Sequence, residues 1–123
     1  MKFYRKFRVA ANGKPIVGTL FGMLGVRPAD PTNPKKRFDV TAVAGSDVVR
    51  PGGGGLSVYT DPAGIRIQAA DLFLFAIDTA NLSTGLRDVP AGDPHYLVEP
   101  AHDMTLDDFQ GLLAQTRDFW IRV

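Results

Sequence analysis

Cysteine is absent from this chain of 123 residues. That excludes a disulfide framework, thiolate zinc sites and a thiol nucleophile, and it fits a protein made in the cytoplasm. Histidine is scarce, and His95 and His102, even with Asp103, lack the spacing of known metal-ligand sets. Glutamate is scarcer still: 12 of the 13 acidic residues are aspartate, and the remaining one is Glu99. Long apolar runs are also missing. The best candidate, Ile16 to Val26, has about 11 residues, short of the ~20 that a spanning helix needs. Met1 to Arg8 is basic, yet Asn12-Gly13-Lys14-Pro15 interrupts the chain before an apolar stretch forms, and no small-residue cleavage pattern follows. The expectation is therefore no signal peptide and no membrane anchor. The common nucleotide motifs are absent as well. No Gly-Lys-Ser/Thr follows the glycines at 52–55, no helix pattern opens there, and Ser57 is not framed by spaced glycines as in a nucleophile elbow.

What is present describes one globular domain. Apolar residues at 45% and charged residues at 22% are ordinary values, and the length suits a single core spanning residues 1–123. Glycine and proline are frequent enough to predict short strands and much loop. The charge is unevenly divided. Residues 1–50 carry 10 Lys/Arg against 3 Asp, a net of +7, and residues 51–123 carry 4 Arg against 10 acids, a net of −6. One reading is that the two opposite segments attract each other within the fold. The alternative is a basic face for phosphate-bearing ligands or an acidic partner protein. Lys35-Lys36-Arg37 could touch nucleic acid, although a solvated loop is the simpler account.

Several segments alternate with the period of two expected of strands. Phe3 to Val9 sets Phe3, Arg5 and Phe7 on one face, and Tyr4, Lys6 and Arg8 on the other. A cation on the apolar face is costly without a partner, so Arg5 is either half of a structural ion pair or a ligand-binding arginine. Phe38 to Val43 alternates too, and Ile65 to Ile67 is a possible short strand. Asp71 to Ile77, the most hydrophobic segment, reads as a buried central strand. His95 to Glu99 reads as a strand with His95, Leu97 and Glu99 on one face, stopped by Pro100. Ile16 to Val26 could form a short helix, and Asn81 to Pro94 is polar and turn-rich. The clear helix starts near Thr105, which can cap it, with Asp108 three residues on and Leu106, Phe109, Leu112 and Leu113 along one face. Phe119 to Val123 closes the chain as a strand or docked tail.

The stretch Gly52-Gly53-Gly54-Gly55-Leu56-Ser57-Val58-Tyr59 is the most informative. Four glycines form a flexible turn, or else they admit another group close to the backbone. The strand after them points Ser57 and Tyr59 to the same side. This stretch, with Asp61 and Gly64 beyond it, resembles the central motif of a bacterial toxin family, the type VI secretion effectors of ADP-ribosyltransferase-like fold. Tyr4-Arg5 resembles the Tyr-Arg of that family's first strand, and His95-Tyr96-Leu97-Val98-Glu99-Pro100 its late His-Tyr…Pro strand. The chain departs from the family pattern at Leu56, where a hydroxyl residue precedes the serine, and at Thr60, an extra residue before Asp61.

The resemblance implies an α+β fold with two small, mostly antiparallel sheets around a central cleft and few helices. It implies a toxin that uses NAD to modify a target in the cytoplasm of another cell, delivered without a signal peptide. It also implies a cognate immunity protein or antitoxin that covers the cleft. Arg5, with Tyr4 and Tyr59, would hold NAD; Ser57, His95 and Glu99 would carry the chemistry. Glu99 would stabilise the oxocarbenium-like ribose, or else pair with Arg5 or another cation of the first half. The alternative from a different class is a non-catalytic binding module of the same fold, directed at a protein or nucleic acid. A Ser/His/Asp hydrolase built on Ser57 has no spacing to select its partners.

Overall fold

Alternation of bulky apolar and polar residues along the first eight residues dictates the first strand, and the rest of the sheet assembles around it. The computed structural model describes residues 1–123. Its strands are β1 (Lys2–Arg8), β2 (Val48–Val49), β3 (Leu56–Tyr59), β4 (Leu72–Asp78), β5 (Leu86–Pro90), β6 (His95–Pro100), β7 (Met104–Thr105) and β8 (Ile121–Arg122). One α-helix, α1 (Leu106–Gln115), and three short 3₁₀ turns complete it. Six strands form an antiparallel sheet in the order β5-β6-β3-β1-β4-β8, and β2 with β7 makes a second, two-stranded one. The protein is thus an α+β domain with antiparallel sheets and a single helix. No helix is long and apolar enough to cross a membrane.

The large sheet has a seam. β1 and β4 pair along their whole length, from Lys2–Asp78 to Arg8–Leu72, and β3 pairs with β6 over four residues. Between β1 and β3 only Tyr4 and Tyr59 pair. The sheet is therefore two three-stranded halves hinged at one residue pair.

One face of the sheet carries the core. Phe3 and Phe7 of β1, Phe75 and Ile77 of β4, Leu56 and Val58 of β3 and Val98 of β6 all point to it. They meet Phe109 and Leu113 of α1, Trp120, and Leu24, Val26 and Val40 from the long first connection. Phe7 packs edge-on against both Phe75 and Trp120. Thr105 caps α1 as expected, its side chain accepting from the Asp108 N–H at 3.1 Å. Gln110 then ties the helix to the first connection. Its amide accepts from the Val26 N–H at 2.9 Å and donates to the Val26 carbonyl at 2.6 Å, as a neighbouring strand would.

Four local expectations fail. Ile16 to Val26 is not helical: the chain doubles back, with Ile16 N–H bonded to the Arg8 carbonyl and Leu24 N–H to that of Ile16. Gly22 sits at φ +76°, and a Cβ on Gly25 would lie 2.1 Å from the Gly18 carbonyl oxygen, so the glycines serve a tight fold-back. Phe38 to Val43 is no strand, since only Val40 makes bridges, to Pro28 and Gly54. Ile65 to Ile67 is irregular too. Conversely, the polar stretch from Asn81 to Pro94 contains the edge strand β5, whose exposed Arg87 and Asp88 hide its alternation.

Candidate functional site

Strand register brings together residues far apart in sequence. Tyr59 stands opposite His95 and Ser57 opposite Leu97, which makes Ser57 and His95 diagonal neighbours on one face of the β3–β6 pair. Their side chains meet, Ser57 Oγ lying 2.5 Å from His95 Nε2. The Tyr59 and His95 rings stack at 5.0 Å between centroids with 25° between planes. Tyr4, opposite Tyr59 across the seam, falls on this face as well. No carboxylate bonds to the His95 ring, so the pair is not part of a Ser/His/Asp triad.

Arg5 starts on the core side and reaches into the seam. Where β1 and β3 part, its Nη1 donates to the Ser57 carbonyl at 2.8 Å. Its Nε is buried without any partner, and its guanidinium lies 5.4 Å from the Phe7 ring centre. Burial pushes the Arg5 pKa down to about 10, partly offset by the field of Asp39 and reinforced by that of Arg27. It stays charged at neutral pH. Asp39 is itself held by Arg27 through Nε at 3.0 Å, Nη2 at 3.1 Å and the Arg27 backbone N–H at 2.8 Å. That carboxylate partner raises the Arg27 pKa. Arg5 thus sits beside an anion that already has its own cation.

Glu99 lies on the strand face expected, but its partners differ from those expected. Its Oε1 accepts from Arg87 Nη2 at 2.9 Å, Arg87 Nε at 3.2 Å and the Gly52 backbone N–H at 3.1 Å. The cation is Arg87 of the second half of the chain, one strand over at the directly opposed position, not Arg5 or another first-half residue. The carboxylate holds the glycine loop against β6.

The glycines receive close neighbours, and those neighbours are the protein's own backbone. Gly54 has φ +104°, and a Cβ there would lie 2.1 Å from the Asp39 carbonyl oxygen; one on Gly55 would lie 2.2 Å from that of Val98. Gly54 and Gly55 therefore let the connection carrying Asp39 and the strand carrying His95 and Glu99 close in on β3. They build the site from behind.

Two cavities bear on it differently. The larger, about 510 Å³, lies between α1 and the segments at Thr84–Gly85 and His102–Met104 and includes none of the residues above. A smaller one, about 300 Å³, is lined by Tyr59, Lys6, Gly64, Ile65, Arg66 and Gln68. No cluster of three His, Asp or Glu side chains could hold a metal ion.

No family model matches the chain, and no curated protein matches it.

Sequence reasoning named Tyr4, Arg5, Ser57, Tyr59 and His95, and the structure gathers these five at the seam and on the adjoining strands. It missed Asp39, Arg27 and Arg87. Arg27 lies in loop, where no periodicity marks it; Asp39 falls within Phe38–Val43, whose alternation suggests a strand that does not form and says nothing of its ion pair; and Arg87 is one of several surface arginines until the register sets it opposite Glu99.

Proposed function

We propose that this protein is a toxin-like, NAD-using transferase of ADP-ribosyltransferase-like fold, active in the cytoplasm of a target cell. One observation carries the reading: the Arg5 guanidinium, half-buried and short of one acceptor, stands in a seam between β1 and β3 beside a stacked Tyr59–His95 pair and the Ser57 hydroxyl. These residues fit a dinucleotide. An unpartnered buried N–H suits a phosphate or ribose oxygen, and an aromatic pair suits a flat heterocycle. NAD, when bound, supplies the ADP-ribosyl group and nicotinamide as leaving group. Arg5 binds and orients it. Tyr4 and Tyr59 wall the seam. His95 Nε2, already on the Ser57 hydroxyl, can accept the proton released as the target nucleophile attacks. Glu99 acts in this reading as a positioning residue, since Arg87 and Gly52 hold its Oε1.

A second reading is a binding module of the same fold without catalysis, and the occupied Glu99 carboxylate favours it. A toxin needs silencing in its producer, so the transferase reading also expects a cognate immunity protein over the seam. The net charge of +7 on residues 1–50 suits an acidic partner surface.

The test is Ser57→Ala in a bacterial host, beside calorimetric titration of the purified protein with NAD. Wild type should suppress growth and bind NAD. The variant should be harmless while losing less than about 1 kcal/mol of stability, because a half-buried hydroxyl contributes little packing. A folded, fully toxic variant would refute the placement of the site. Harmless wild-type protein that still binds a partner would establish the binding module.

A further inference from the structure

The cavity beside the site has an electrostatic character that the proposed chemistry does not use. Its walls include two cations, Lys6 and Arg66, and neither pairs with a carboxylate. The four ion pairs of the structure are Arg8–Asp71, Arg27–Asp39, Arg50–Asp103 and Arg87–Glu99. Lys6 is half-buried. Its Nζ donates to the Arg66 carbonyl at 2.7 Å and lies 5.5 Å from the Phe21 ring centre. The first contact ties the loop after β3 down over β1. An ammonium has three N–H groups, so this one bond leaves donors for an acceptor in the cavity. Arg66 is exposed and makes no side-chain hydrogen bond.

The position is as telling as the charge. Lys6 and Ser57 each lie two residues from the Tyr4–Tyr59 pair, and period-two alternation puts both on the face that carries the Ser57–His95 contact. Tyr59 belongs to the cavity and to the stacked pair alike. Arg5, by contrast, approaches from the core side of the seam and does not line the cavity.

We infer that this cavity is a second subsite that binds the phosphate of a small nucleotide, the acceptor of the transfer, between Lys6 and Arg66. The acceptor assignment rests on the transferase reading; the phosphate site does not. Two unpaired cations converging on a cavity recognise a dianionic group through charge-assisted bonds. An aromatic wall and a volume of about 300 Å³, at the small end for ligand sites, favour a mononucleotide over a phosphopeptide. Bound there, a hydroxyl of the acceptor nucleotide would lie next to His95: its oxygen bonds to the ribose carbon as the bond to nicotinamide breaks, nicotinamide leaves, and His95 takes the hydroxyl proton.

The experiment is calorimetry on the full chain with inorganic phosphate, AMP, adenosine and NAD, in low and in raised NaCl. Phosphate and AMP should bind, with affinity falling as salt rises, and adenosine should bind far more weakly than AMP. Arg66→Ala should weaken phosphate and AMP at least ~10-fold, the loss of one charge-assisted bond. Arg66 makes no side-chain hydrogen bond or ion pair whose loss would unfold the domain, and Lys6→Arg should retain binding where Lys6→Met loses it. Arg5→Met should leave phosphate and AMP binding within about twofold, and saturating NAD should not displace AMP. Phosphate and AMP that fail to bind at low salt, or that bind Arg66→Ala and Lys6→Met as they bind wild type, would overturn the site. AMP displaced by NAD, with NAD itself weakened by Arg66→Ala, would assign the cavity to the donor and overturn the acceptor subsite. Phosphate binding without NAD binding would leave the phosphate site standing and remove the transferase reading.

Discussion

Cutting the Arg87–Glu99 pair from its two ends should not cost the same. Glu99 is 3% exposed, whereas the Arg87 side chain is 47% exposed. Arg87→Ala strands a buried carboxylate whose remaining partner is the Gly52 N–H. Losing one member of a buried pair costs about 3–5 kcal/mol, and water entering from the Arg87 side should hold the loss near the lower end. Glu99→Gln keeps the shape and an acceptor for Gly52, frees Arg87 to water, and removes a charge whose burial was itself unfavourable. What disappears is the charge-assisted part of the bonds, about 1–1.5 kcal/mol. Arg87→Ala should therefore destabilise roughly two to three times as much as Glu99→Gln. Trp120, the only tryptophan and 1% exposed, reports unfolding in urea by its fluorescence. In thermal melts the midpoints should fall by roughly 10–15 °C and 5 °C respectively, at about 3–6 °C per kcal/mol for this size. If Glu99→Gln is as damaging as Arg87→Ala, the charge itself stabilises the fold and the desolvation argument fails. The same protein tests the mechanism. NAD turnover per folded molecule should be nearly unchanged in Glu99→Gln if the carboxylate only positions the loop, and a loss of ~100-fold or more would place its charge on the reaction.

Other consequences can be checked independently. Burial lowers the Arg5 pKa from the ordinary arginine range to about 10, so above about pH 10 the unfolded chain binds more protons than the folded one, and stability from this group rises with pH. Urea titrations of wild type and Arg5→Met should agree in their difference below about pH 9, and by pH 11 wild type should have gained about 1 kcal/mol relative to the variant. A constant difference would show that Arg5 is not desolvated. Gln110→Ala leaves the Val26 N–H and carbonyl unpaired beside the core and should cost about 2–3 kcal/mol in the same urea assay. A loss below about 1 kcal/mol would mean that water replaces the amide. Gly55→Ala puts a Cβ 2.2 Å from the Val98 carbonyl oxygen, backbone against backbone in a paired strand, and should fail to fold or lose the Ser57–His95 contact; a stable variant with unchanged histidine NMR shifts would contradict the tight β3–β6 approach.

The sequence by itself determined the pieces whose signal is local. Alternation fixed the faces of β1, β3 and β6, so that Ser57 and Tyr59 emerge together and Arg5 lies on the apolar side. Thr105, Asp108 and the leucine stripe placed the start of α1 to within a residue. These signals need only the neighbouring few positions, because side-chain direction and capping are set by backbone geometry over one or two turns. The tertiary structure decided everything that depends on which strand lies beside which. Ser57 meets His95 because β3 and β6 pair in one register; a slip of one residue would send either side chain to the opposite face. Arg5 reaches Ser57 because the sheet opens beside the single Tyr4–Tyr59 pair, and no periodicity announces a seam. Glu99 was conspicuous in composition, yet its partner is Arg87 on an edge strand that polar residues concealed. The glycines were legible as a place of close approach, but what approaches, Asp39 and Val98, is fixed by burial and by pairing between segments distant in the chain.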